Sequence, residues 1–161
     1  MKINMKILGA FSAVALLAAC AEPASTASTG GTGAATAQPV GIVPGSQEDL
    51  VTNVGDRVLF DTSKSNLTAE DRAVLDRQAA WLGKYSTVAV QVAGNCDERG
   101  TEEYNIALGQ RRATAARDYL VAKGVASARI TTISFGKDRP VDPASTEEAW
   151  AKNRNAMTSV K

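Results

Sequence analysis

The chain contains no histidine, and this absence excludes several kinds of site. Ser–His and Cys–His nucleophilic constellations need an imidazole base, and many zinc sites need imidazole ligands. Aromatic residues make up only 5% of the 161 residues, and the formal net charge is +1. A charge this small gives no reason to expect nucleic acid or an anionic membrane surface as a partner. We therefore expect neither a histidine-dependent enzyme nor a nucleic-acid-binding protein.

The sequence also lacks an apolar run long enough to span a bilayer. The run from Ile7 to Ala19 is short and follows Lys2 and Lys6, which is the pattern of an export signal. It ends in Leu-Ala-Ala before Cys20 and so resembles a bacterial lipoprotein signal in which Cys20 is acylated. The pattern predicts a signal peptide over residues 1–19. The alternative is an ordinary secretory signal that is cut after a small residue.

Cysteine is scarce, with only Cys20 and Cys96 in the chain. If Cys20 carries lipid, Cys96 is the one remaining thiol and no intramolecular disulfide can form. A nucleophilic role for Cys96 would need a nearby base, most often histidine. We therefore predict that Cys96 is a small, mostly buried packing residue.

Charge is almost absent from residues 20–46, which are rich in alanine, serine, threonine, glycine and proline. Such a composition cannot bury enough apolar surface to order itself, so we predict a flexible tether after the lipidated cysteine. A coil of this length spans roughly 25–30 Å on average and reaches roughly 90 Å when stretched. The GGTG in this stretch lacks the flanking strand and helix of a phosphate loop.

Residues 47–161 alternate between strand-like and helix-like patterns and are predicted to form one domain. Strands are predicted over residues 56–60, 87–92, 129–135 and 156–160, and helices over residues 68–83, 102–123 and 146–153. The order βαβαβ(α)β predicts a two-layer α+β domain. It would have a mixed four-stranded sheet with the helices packed on one face.

A polar loop between the second predicted strand and the second long helix contains Asp97, Glu98 and Arg99. It is bounded by Gly94 and Gly100, and a loop placed between a strand and a helix commonly carries function. We therefore expect this loop to carry residues that bind a ligand.

The helix after this loop carries Asn105, Leu108 and Arg112 at i, i+3 and i+7, so the three lie on one face. Two polar groups beside a leucine would suit a pocket with an apolar floor and charged walls. The residues alone leave an alternative open: Arg112 could pair with a carboxylate structurally, and Asp97 could merely cap the loop.

The stretch 94–113 resembles the signature of the OmpA-like peptidoglycan-binding domain family, roughly G-H-x-D-x-x-G-T-x-x-Y-N-x-x-L-(S/G)-x-R-R-A. The positions in register are Gly94, Asp97, Gly100, Thr101, Tyr104, Asn105, Leu108, Gly109, Arg111, Arg112 and Ala113. One position departs from the pattern, because Asn95 replaces the usual histidine and cannot titrate. The segment VLFDTSKSNLT also resembles the first conserved segment of the family, whose strand-end acidic residue, Asp61 here, borders the ligand pocket.

The resemblance implies non-covalent binding of peptidoglycan through the zwitterionic end of meso-diaminopimelate in the stem peptides. Asp97 matches the family aspartate that receives the ammonium, and Arg112 matches the arginine that takes the carboxylate, which arginine can do bidentately. Asn105, Leu108 and Arg99 match residues that line the pocket. For Arg111 and Arg154 we expect structural or surface pairing.

With the lipoprotein signal, the resemblance implies an outer-membrane lipoprotein that faces the periplasm, needs no cofactor and performs no catalysis. It also implies a protein partner, the periplasmic propeller protein TolB of the Tol system, and a role in envelope integrity and cell division. One alternative is an OmpA-domain lipoprotein outside the Tol system. Another is a cell-wall enzyme, although Asp97 and Glu98 are adjacent and not set across a cleft as glycoside hydrolysis requires.

Overall fold

The computed structural model describes residues 41–161. The predicted signal peptide, Cys20 and most of the predicted tether lie outside the described residues. In chain order the elements are α1 (Gln47–Asp49), a π-helical turn (Leu50–Val54), β1 (Arg57–Leu59), α2 (Ala69–Lys84), β2 (Val90–Asn95), α3 (Glu102–Ala122), a 3₁₀ turn (Ser127–Arg129), β3 (Ile130–Gly136), α4 (Glu147–Asn153) and β4 (Asn155–Val160).

The four strands form one mixed sheet in the order β1-β4-β2-β3. β4 is antiparallel to both of its neighbours, β1 and β2, whereas β2 and β3 are parallel and are joined through α3. This arrangement confirms the predicted α+β class and the mixed sheet. The crossover between β2 and β3 places the loop before α3 at the end of a central strand.

Threonines begin the three longer helices. Thr68, Thr101 and Thr146 each accept a hydrogen bond from the backbone N–H three residues ahead. Asp71 also accepts from the backbone N–H of Thr68, which completes a capping box at α2. These caps satisfy backbone donors that the first helical turn would otherwise leave unpaired. They explain why the predicted starts of the helices lie within a residue of the observed ones.

Strand β2 corrects one predicted boundary. We predicted a strand over residues 87–92, but pairing with β3 and β4 begins at Val90 and continues through Gly94, and Asn95 still pairs with Gly136 after a shift in register. The polar loop therefore starts at Cys96 and not at Gly94. A sequence pattern missed this extension because Gly94 and Asn95 have low intrinsic preference for strands.

Helix α3 approaches β2 so closely that backbones touch. A Cβ added to Gly94 would overlap the carbonyl group of Gly109, and one added to Gly109 would overlap Ser134 Oγ and come within 2.8 Å of the Gly94 carbonyl oxygen. Only glycine fits at both positions. This contact fixes the depth of α3 on the sheet.

The core lies between the sheet and helices α2 and α3. Its buried apolar side chains include Leu50, Val58, Leu75, Leu82, Val90, Val92, Ala113, Ala116, Leu120 and Ile130. Cys96 is buried as well, which confirms its predicted packing role. Within residues 41–161, no helix combines the length and the apolar character needed to cross a bilayer.

Candidate functional site

A small pocket opens where the β1–α2 loop, the end of β2 and the first half of α3 meet. Its lining consists of Thr62, Ser63, Cys96, Asp97, Arg99, Tyr104, Asn105, Leu108 and Arg112. Five of the six predicted ligand-binding residues are therefore brought together, and Asp61 is not among them. Thr62, Ser63, Cys96 and Tyr104 also line the pocket and were not predicted to do so.

The Arg112 side chain is completely buried, with 0% exposure, and its donors bind backbone carbonyls. Nε donates to Lys64 O at 2.9 Å, Nη1 to Asn95 O at 2.8 Å, and Nη2 to Asp61 O at 3.0 Å. Nη1 also lies 3.4 Å from Cys96 Sγ. Arg112 thus ties the β1–α2 loop to the end of β2. Among the described residues it pairs with no carboxylate, unlike the structural alternative left open by the sequence.

The path of the Arg112 side chain explains how it reaches the loop. Arg112 lies ten residues into α3, about 15 Å from the helix start along its axis. However, side chains on a helix lean toward its N-terminus, and α3 runs back along β2. The guanidinium therefore ends beside Asn95 and Cys96, next to Asp97. The close contact between Gly94 and Gly109 makes this return possible.

Asp97 is 7% exposed, and its two carboxylate oxygens accept four hydrogen bonds. Oδ1 accepts from the Arg99 backbone N and from Arg99 Nε, both at 3.2 Å. Oδ2 accepts from Arg99 Nη2 at 2.7 Å and from Arg154 Nη1 at 3.3 Å. Burial alone would raise the pKa of Asp97, but the hydrogen bonds from Arg99 and Arg154 outweigh it and the pKa is lowered. Asp97 is therefore an ionised carboxylate at neutral pH.

Arg154 supplies the buried positive charge beside Asp97. Nε donates to Phe60 O at 3.0 Å, and Nη1 also lies 3.1 Å from Glu147 Oε1. This arginine links the end of β1, the site loop and α4. The structural role predicted for Arg154 thus includes positioning Asp97. This contact could not be predicted, because the two residues are far apart in the sequence.

Arg99 has two further partners outside the pocket. Its guanidinium carbon lies 4.2 Å from the centre of the Trp150 ring, and Nη1 lies 3.6 Å from Glu147 Oε2. Glu98 accepts a hydrogen bond from Trp150 Nε1 at 3.0 Å. The short helix α4 therefore forms a platform for the site loop.

Asn105 and Leu108 hold the other side of the pocket. Asn105 Nδ2 donates to Arg99 O at 2.9 Å and so fixes the loop to α3, and Leu108 is buried beneath it. Cys96 Sγ donates to Asn105 O at 3.3 Å. Burial raises the pKa of the Cys96 thiol even though Arg112 is close. Cys96 is therefore a neutral thiol in the wall of the pocket at neutral pH.

The model of the OmpA family matches residues 59–154 of this chain. The chain belongs to the OmpA family. The matched range contains all the residues that line the pocket.

Two relatives show how close the family likeness is. A peptidoglycan-associated lipoprotein of Mesorhizobium japonicum is 53% identical over 117 residues, which cover 73% of this chain and 70% of that protein. A protein of the same name from Rhizobium meliloti is 52% identical over 115 residues, which cover 71% of this chain and 65% of that protein. The matched stretches thus span about two thirds of each relative.

Solved structures agree with the fold. The peptidoglycan-associated lipoprotein of Burkholderia pseudomallei superposes with a TM-score of 0.64 at 38% identity, over 66% of this chain and 90% of that chain. The C-terminal domain of Helicobacter pylori MotB gives a TM-score of 0.62 at 20% identity, over 66% of this chain and 84% of that one, and this likeness concerns the fold alone.

Asp61 contributes to the site differently from the prediction. Its exposed carboxylate pairs with Lys64 Nζ at 2.9 Å, whose hydrogen bond lowers the pKa of Asp61. Its backbone carbonyl, and not its carboxylate, serves the site by accepting from Arg112. The rim itself is formed by Thr62 and Ser63, and Ser63 adopts a left-handed φ of 59°. The Asp61 side chain is not among those that line the pocket.

Asn95, at the position of the OmpA-family histidine, lies behind the pocket. It is 4% exposed, and its Nδ2 donates to Asn155 Oδ1 at 2.8 Å, which links β2 to β4. Its Oδ1 has no hydrogen-bond partner among the described residues. Asn95 therefore supports the strand end from which the site loop departs and does not line the pocket itself.

Proposed function

We propose that this protein binds peptidoglycan non-covalently through the zwitterionic end of meso-diaminopimelate. The observation that carries the proposal is the placement of Asp97 and Arg112 in the wall of one small pocket above the buried Leu108. The ligand end carries an ammonium and a carboxylate on one carbon, so it needs an anion and a cation a few ångströms apart. Asp97 would receive the ammonium, and Arg112 the carboxylate.

The hydrogen bonds of Arg112 change the expected mode of carboxylate binding. A guanidinium has five N–H groups, and four of those of Arg112 already have acceptors. These are the one on Nε, both on Nη1 and one on Nη2. One N–H of Nη2 has no acceptor among residues 41–161. A ligand carboxylate would therefore receive one hydrogen bond and the electrostatic attraction of a buried charge. The bidentate fork that the family resemblance implies would require Arg112 to release an acceptor of Nε or Nη1 as well, because a fork uses one N–H from each of two nitrogens.

The relatives support the broader part of the proposal. Proteins that are about half identical to this chain are named peptidoglycan-associated lipoproteins, and that name describes association and not catalysis. We propose acylation of Cys20 and anchoring in the outer membrane, with the folded domain facing the periplasm. The tether of residues 20–46 would let the domain reach the wall while the lipid stays in the membrane. The protein would thereby link the outer membrane to peptidoglycan.

A sedimentation assay with purified peptidoglycan tests the ligand site. We expect Asp97→Asn to reduce cosedimentation strongly, because loss of a buried charge partner costs about 2–5 kcal/mol. Asp118→Asn is the matched control, since its carboxylate is an exposed partner of Arg117 on α3. Wall material with L-lysine in place of diaminopimelate should also bind weakly, because it lacks the carboxylate. Wild-type sedimentation by a folded Asp97→Asn protein would contradict the proposed site.

The Tol system is the protein partner that we propose, with a role in envelope integrity and cell division. Binding of purified TolB to the purified protein tests this independently of peptidoglycan. Failure to form a complex, combined with normal peptidoglycan binding, would favour an OmpA-domain lipoprotein that works outside the Tol system.

A further inference from the structure

The carboxylate of Asp97 has no acceptor position left for a ligand ammonium. An ionised carboxylate offers about four lone-pair positions. Asp97 already accepts four hydrogen bonds, three from Arg99 and one from Arg154. Under the proposed function, an incoming ammonium must therefore take the place of one of these donors.

The donors differ in how firmly they are held. The Arg154 side chain is 9% exposed and is also fixed by Phe60 O and Glu147. The backbone N–H of Arg99 belongs to the loop, whose path is set by the hydrogen bond from Asn105 to Arg99 O. The Arg99 side chain, in contrast, is 39% exposed and lines the pocket. It is the donor that can leave at the lowest cost.

The Arg99 guanidinium also has alternative partners that it can keep after it releases Asp97. It lies against the Trp150 ring at 4.2 Å and 3.6 Å from Glu147 Oε2. Stacking on an indole ring and pairing with an exposed carboxylate would retain part of the lost interaction. The rest of the loop could then stay in place.

We propose that the Arg99 side chain is an internal counter-ion that occupies the ammonium position on Asp97 and exchanges with the ammonium of the ligand. The exchange keeps Asp97 paired at every stage, so a buried anion is never left alone. It also makes Arg99 a specificity-determining residue. A ligand whose amine is blocked cannot replace Arg99, and the pocket remains closed to it.

Calorimetric titration of the purified protein with a disaccharide tetrapeptide that contains meso-diaminopimelate tests the exchange. Arg99→Gln removes the competing charge, so we expect it to bind the muropeptide about two- to fivefold more tightly, the range of a partly exposed ion pair. Arg111→Gln is the matched control, because the Arg111 side chain is exposed, directly precedes Arg112 and forms no ion pair or hydrogen bond within the described residues. It loses the same charge and should not gain affinity.

Two further variants separate exchange from a merely structural role. In an Asp97→Asn background, Arg99→Gln should give no gain in affinity, because the competition requires the carboxylate. Arg99→Lys should fall between wild type and Arg99→Gln, since an ammonium cannot bind both Asp97 oxygens as the guanidinium does. Unchanged or weaker binding by folded Arg99→Gln would overturn the exchange while leaving the proposed function intact. No binding by the wild-type protein would overturn both.

Discussion

Arg112 combines two roles at the scale of single residues. It faces the proposed ligand position, and it also joins the β1–α2 loop to the end of β2 through three carbonyl groups. Binding sites often place a charge where the fold itself needs it, because a buried charge must be held by several partners. Here the carbonyl acceptors hold the guanidinium in place before any ligand arrives. Loss of binding in an Arg112 variant is therefore evidence for a contact with the ligand only if the variant is shown to be folded.

We predict that Arg112→Ala destabilises the domain by about 2–5 kcal/mol, because it leaves buried carbonyl groups without donors. Urea denaturation followed by circular dichroism gives the free energy of unfolding. The exposed neighbour Arg111 is the control, and Arg111→Ala should change this free energy by less than about 0.5 kcal/mol. An Arg112→Ala protein as stable as wild type would show that the carbonyl bonds contribute little.

Several site residues could be predicted from the sequence, and the reason is local. Asn105, Leu108 and Arg112 lie on one helix, where spacing decides which side chains share a face. That Asp97 and Arg112 line the same pocket was implied by the resemblance to the OmpA-like family and not by spacing.

The contribution of Arg154 could not be predicted in this way, because Arg154 lies between α4 and β4, 57 residues after Asp97, and reaches the loop only through tertiary packing. The use of the Asp61 backbone carbonyl as an acceptor for Arg112 could not be predicted either, because it depends on how the β1–α2 loop packs against α3.

Helix α3 determines the site at the scale of elements. Its depth on the sheet is set by the glycine contact with β2, and its side chains reach the loop only at that depth. Helix α4 is short, but Glu147 and Trp150 hold the other side of the loop. The existence of these helices followed from periodicity and capping. Their positions relative to the loop followed from packing, which no local pattern encodes.

We predict that Gly109→Ala destabilises the domain by about 1–3 kcal/mol, because the new methyl group would push α3 away from β2. The shift would also move Arg112 relative to Asp97 and weaken binding to peptidoglycan. Gly83→Ala is the matched control, since a Cβ at Gly83 in α2 meets nothing within 4 Å. It should be neutral or stabilise the domain by up to about 1 kcal/mol. Thermal unfolding gives the Tm of both variants. Equal Tm values for Gly109→Ala and Gly83→Ala would contradict the prediction.

At the scale of the whole molecule, the lack of histidine determines the response to pH. The histidine position of the family carries Asn95, which hydrogen-bonds to Asn155 and cannot titrate. The groups of the site titrate outside the neutral range, because the pKa of Asp97 is lowered and that of Cys96 is raised. The protein should therefore keep one charge state across the pH range in which histidine would normally change its charge.

The direction of each pKa shift determines the pH range in which the folded protein loses stability. Hydrogen bonds from Gly45, Asn53 and Trp81 lower the pKa of Asp49 from 3.8 to about 2. Asp49 therefore stabilises the fold fully above about pH 4, and this contribution is lost as the pH falls toward 2. Burial raises the pKa of Cys96 above its ordinary value of 9.0, so the neutral thiol begins to cost stability only when the pH rises beyond that value.

We accordingly predict that muropeptide affinity and the free energy of unfolding are both nearly constant from about pH 5.5 to 8, a window free of side-chain titrations in the site. Asp97 and the ligand carboxylate stay ionised throughout, Arg112 stays charged, and the ligand ammonium loses its proton only well above neutrality. Calorimetric titrations and urea denaturation at several pH values measure the two quantities. An Asn95→His variant provides the contrast, because a buried imidazole in that position would titrate within the window. A tenfold change in wild-type affinity centred near pH 6.5 would mean that a titrating group other than Asp97, Cys96 and Arg112 controls binding.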